Sequence, residues 1–92
     1  MEHIKSTVDA LSRQMLAAMP EEERVMAAWR QVCGAKAAEH AHAESFSGRE
    51  LRVRVDDAAW LATLNQMRGQ YCARLREMTG VAVNDLHFEL VR

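Results

Sequence analysis

The chain changes its hydrophobic period three times. Residues 4 to 19 place Ile4, Val8, Leu11, Met15 and Met19 three or four positions apart, the stripe of an amphipathic helix. This predicts a helix over 1–19. Pro20 stops that helix and opens a second, with Glu21, Glu22 and Glu23 where the helix dipole favours acids. The second helix is predicted over 20–40, with Val25, Trp29, Val32 and Cys33 on its apolar face. Beside that face runs a file of small residues, Ala27, Gly34, Ala38 and Ala41, spaced seven, four and three apart. A glycine inside a helix costs about 1 kcal/mol relative to alanine, so the file suggests that another backbone packs closely against Gly34.

From residue 42 the period is two. Phe46 leads into the turn signal Ser47-Gly48, and LRVRV at 51–55 alternates Leu51, Val53 and Val55 against Arg52 and Arg54. A hairpin over 42–56 follows. Asp56 or Asp57 can cap the next helix, predicted over 57–79, whose stripe is Trp60, Leu64, Met67, Tyr71, Leu75 and Met78 and whose stop is Gly80. The last segment, 82–91, alternates Leu86, Phe88 and Leu90 against His87, Glu89 and Val91. Read together, the order is helix, helix, strand, strand, helix, strand: a two-layer α+β domain with helices packed on a three-stranded sheet.

The 92 residues, 49% hydrophobic and 27% charged, suit a single domain over 1–92. A chain this short needs nearly every apolar stripe for its core, which leaves little for a deep ligand cavity. It contains no apolar run of membrane-spanning length, and its N-terminus lacks the uninterrupted apolar centre of a signal peptide. A soluble, cytoplasmic protein without membrane contact is expected, with Cys33 and Cys72 as reduced thiols. The formal charge of −1 lacks the strongly basic footprint of a typical nucleic-acid binder.

The stretch WRQVCGAKAAEHAH, residues 29–42, holds the chain's most suggestive chemistry. On one helix Cys33 and His40 would stand about 10 Å apart along the axis, whereas two donors on one zinc lie within about 4.4 Å. His40 and His42 could converge, but no CxxC, HxxxH or HExxH spacing supplies further ligands, and His3 and His87 add none. No metal and no other cofactor are expected. Neither GxSxG nor a glycine-rich phosphate loop occurs. The pair Asp56 and Asp57 reads as a helix cap, and the methionines as core filling. A non-enzymatic protein without a small-molecule substrate is expected.

The pattern Trp29, Cys33, Gly34 and His40, then Ser47 to Val55 as S-G-x2-L-x-V-x-V, then Trp60, Leu61 and Leu64, closed by a hydrophobic strand, resembles the DciA family of bacterial replicative-helicase loaders. The resemblance covers about residues 8 to 90. It implies a fold similar to type II KH domains, DNA binding and contact with the replicative helicase. Trp29, Gly34, His40 and Trp60 match the family as a fold signature: both tryptophans read as core, and His40 as a corner residue whose ring satisfies a backbone group. The GxxG grip of KH domains is absent, for no two of Gly34, Gly48, Gly69 and Gly80 are three apart.

Candidate nucleic-acid contacts are therefore the cations Arg49, Arg52 and Arg54, clustered on the turn and outward face of one strand, together with Arg92. Their bland reading is solvated, edge-protecting charge. No exposed aromatic pair for base stacking is evident, so weak, sequence-independent contact with single-stranded DNA is the ceiling. Two readings stand: a DciA-like domain acting in bacterial DNA replication through the replicative helicase, single-stranded DNA or both, and a protein-interaction module without a nucleic-acid role.

Overall fold

A computed structural model describes residues 18–91. The helix expected over 1–19 lies outside them except for Ala18 and Met19, which form a turn. The described elements are α1 (Glu21–Cys33), α2 (Ala35–Ala38), β1 (Ala41–Ser47), β2 (Glu50–Val55), α3 (Ala58–Gln66), α4 (Arg68–Thr79) and β3 (Asp85–Leu90). The α+β architecture, with helices on one face of a three-stranded sheet, is the one the periodicity predicts.

Two predicted helices are each divided. The helix expected over 20–40 breaks at Gly34, whose φ of 93° and ψ of 159° leave helical space altogether. A Cβ built on Gly34 meets nothing within 4 Å, so the close-packing explanation fails. Gly34 is needed for its backbone angles, which turn the chain from α1 toward β1. The helix expected over 57–79 is interrupted at Met67, with φ −95° and ψ 2°, so α3 and α4 meet at a bend. Asp57 rather than Asp56 caps α3, accepting the Trp60 N–H at 3.0 Å. Gly80, left-handed at φ 70°, ends α4 as expected.

β2 is the central strand. It pairs antiparallel with β1 and parallel with β3, and the parallel pairing requires the α3–α4 crossover. Gly48 and Arg49 form the two-residue turn between β1 and β2, both at positive φ (57° and 63°), the twist that matches a hairpin. The register slips between Ala43 and Ser45, leaving Glu44 as an extra residue, a β-bulge.

The core lies between sheet and helices. Leu51, Val53 and Val55 are at most 1% exposed and meet Leu64, Leu75, Val83 and Leu86 from the other elements. Trp29 is 2% exposed. It meets Tyr71 edge-on at 5.4 Å and Phe88 at 5.8 Å, and its indole N–H donates to the Ala41 carbonyl at 3.1 Å. Trp60 departs from the core expectation: it is half-buried, resting on the cluster from outside. At the other end of α1, the Arg24 guanidinium donates to the carbonyls of Met19 (3.0 Å) and Thr79 (3.1 Å). A cation is thereby held at the negative end of α4.

Candidate interaction surface

Among the described residues, the helices leave one face of the sheet open. Along β2 this face carries Glu50, Arg52 and Arg54, and the register sets Asp85, His87 and Glu89 of β3 opposite them on one side. On the other side stand Ser47, Ser45 and His42 of β1. An unbulged β1 would set Glu44 across from Arg52; the slip puts Ser45 there instead. The Glu44 carboxylate then stands 3.9 Å from Arg54 Nε, and Glu50 lies 3.9 Å from Arg52 Nε. Counting arginines and carboxylates alone, Arg52 and Arg54 face Glu44, Glu50, Asp85 and Glu89, and Asp85 is also 3.8 Å from Arg68 Nε, which leaves a formal charge of −1.

The predicted cations are therefore not equivalent. Arg52 and Arg54 share the open face, each beside a carboxylate, whereas Arg49 sits exposed at the hairpin tip and takes no part in the ion pairs among the described residues. Its carbonyl accepts from the Asn84 N–H at 2.8 Å, tying the turn to the start of β3. A non-glycine residue at φ 63° carries backbone strain on the order of 1 kcal/mol or more. Arg92 lies outside the described residues.

His40 Nδ1 lies 2.9 Å from Asp56 Oδ1, and its ring stacks on Trp60 at 5.6 Å and 18°. The expected backbone partner is thus a carboxylate instead. Because Asp56 also donates its N–H to the His40 carbonyl at 3.0 Å, the pair fastens β1 to the end of β2.

Both cysteines are free thiols. Burial outweighs the backbone hydrogen bond and the charge of Arg30, lifting the Cys33 thiol from 9.0 to about 11. The thiolate is the nucleophile, and its loss on raising the pKa to about 11 is partly offset by the greater nucleophilicity of a more basic thiolate, so iodoacetamide at pH 8 should alkylate Cys33 roughly tenfold more slowly than in the unfolded chain. Mass spectrometry of timed aliquots checks this; equal rates in the two states would contradict it. Among the described residues, no group of three or more His, Cys, Asp or Glu is placed to hold a metal ion, and no helix is long and apolar enough to cross a membrane.

A groove of about 400 Å³ runs between α1 and the edge strand β1, lined by Met26, Ala27, Arg30, Ala38, His42 and Ala43, with Trp29 and Ala41 completing it. Sequence reasoning missed it. The signal was present in the small-residue file, for Ala27, Ala38 and Ala41 line this groove.

The search of the curated proteins found no match. The family model described as "Dna[CI] antecedent, DciA" matches residues 3–88, from before α1 into β3. With that match over most of its length, the chain belongs to the DciA family.

Proposed function

We propose that this domain serves bacterial helicase loading as a non-catalytic adaptor that contacts the replicative helicase through protein surfaces. Family membership supports the role in replication. The observation that carries the choice of protein over nucleic acid is the open sheet face, where four carboxylates outnumber Arg52, Arg54 and the Arg68 that reaches Asp85. Phosphate binding draws its free energy from cations that displace condensed counterions. Arginines already beside carboxylates, on a face of net negative charge, are poorly suited to it.

A second reading, weak contact with single-stranded DNA, rests on Arg49. Arg49 is exposed at the hairpin tip and stands outside the ion pairs among the described residues, so its charge is open to a phosphate. Fluorescence anisotropy with a labelled oligonucleotide at two salt concentrations separates the readings. Three phosphate contacts by Arg49, Arg52 and Arg54 would lower log affinity by about two units per tenfold rise in salt, at roughly 0.7 ion per contact on single strands. One contact gives about 0.7. The expected result is barely measurable binding with the smaller slope, alongside recovery of the replicative helicase when the chain is used as bait in its own cell extract. A slope near two, abolished by R52E and R54E together, would reverse the order of the two readings.

A further inference from the structure

The groove between α1 and β1 combines three features that no part of the fold described above accounts for: an open strand edge, a floor of alanines and an exposed arginine. On β1 the His40 carbonyl accepts from β2's Asp56 N–H at 3.0 Å. By strand alternation the backbone groups of Ala41 and Ala43 point the other way, to the outer edge. The Ala41 carbonyl is taken by the Trp29 indole, whereas by this alternation the N–H and C=O of Ala43 face the outer edge of β1, where no described strand pairs with it. The bulge at Glu44 ends this pairable stretch, so an added strand would be short.

Beneath that edge, Met26, Ala27, Ala38 and Ala43 supply the apolar part of a trough whose lining is nearly half polar. Its volume of about 400 Å³ falls within the range of about 300–1,000 Å³ typical of ligand sites. Alanines let a backbone approach where larger side chains would hold it off. Arg30 lines the trough and takes part in none of the ion pairs among the described residues.

We propose that this groove receives a short extended segment of the partner protein, pairing with the backbone of Ala43, laying apolar side chains against Ala27 and Ala38, and setting a carboxylate on Arg30. Strand addition beside a helix obtains affinity from main-chain hydrogen bonds and selectivity from the pockets for alternate side chains. The required segment is acidic and apolar, which the charge of Arg30 selects over a basic one. This assignment rests on the helicase-contact reading and names the chemistry of the contact.

The test is a titration of the isotope-labelled chain with purified replicative helicase, with affinity measured in parallel for A27W, R30E and R52E. Ala27 and Arg30 are both exposed on α1, so the variants should fold, and amide spectra verify it. A27W fills the trough and R30E reverses its charge; each is expected to weaken binding at least tenfold, while R52E on the open sheet face leaves it unchanged. In the wild type the Ala43 amide and the Trp29 indole N–H should shift. Helicase binding that survives both A27W and R30E overturns the groove and leaves the helicase reading in place. No binding by the wild type overturns both, and losses confined to R52E move the contact to the sheet face.

Discussion

Replacing Trp29 with alanine is expected to remove about 3 to 5 kcal/mol of stability, the loss typical of a large buried aromatic. The side chain is 2% exposed, packs on Tyr71 and Phe88 and supplies the hydrogen bond to Ala41. Truncation therefore opens a cavity and also leaves the Ala41 carbonyl without its donor. Trp60→Ala should cost less than half as much, because Trp60 is half-buried and loses mainly its contacts with His40 and the edge of the core. Urea denaturation of the two variants decides it. Equal losses would mean that Trp60 carries core packing after all, and a loss below about 1 kcal/mol for Trp29 would contradict the buried position.

That two tryptophans on equally plausible stripes differ in depth shows where periodicity stops informing. Trp60 shares its stripe with Leu64, Tyr71 and Leu75, and a stripe reports which side of a helix faces inward. It does not report how far along the sheet each turn lies. Trp60 falls on the first turn of α3, at the end of β2 where the sheet runs out, so its ring reaches only the margin. The bends at Gly34 and Met67 were hidden for a related reason. Neither involves proline, and a lone glycine inside a helical pattern is tolerated at modest cost. What demands a break at Gly34 is tertiary: only Gly34 to His40 separate α1's end from the start of β1.

The strands were more legible, since the alternation in LRVRV assigns each side chain to a face by local geometry alone. Arg52 and Arg54 do point away from the core. Their neighbours across the sheet depend on register, and register depends on the bulge at Glu44 and on a parallel strand that returns only after two helices. Glu50, two residues before Arg52, falls on that face by the same alternation, but no local window contains the register, so Glu44, Asp85 and Glu89 came only with the fold. The candidate site was legible as a position and illegible as an electrostatic environment.

Gly34→Ala is expected to destabilise the protein by about 1 to 3 kcal/mol, the range for residues forced into sparsely populated backbone conformations. At φ 93° and ψ 159° Gly34 occupies a region nearly reserved for glycine. A methyl group there would meet nothing within 4 Å, so the whole loss arises from the backbone. Two consequences distinguish this from a close-packing origin. Larger side chains at 34 should cost little more than alanine, because space is available. Gly69, in the exposed first turn of α4 and equally uncrowded, lacks a positive φ, so Gly69→Ala should instead raise stability by about 0.5 to 1 kcal/mol through a less flexible unfolded chain and better helix propensity. Denaturation midpoints for the pair should move in opposite directions. A neutral Gly34→Ala would mean that α1 runs on unbroken into α2, which would carry Ala38 away from the groove and undo the site at the β1 edge.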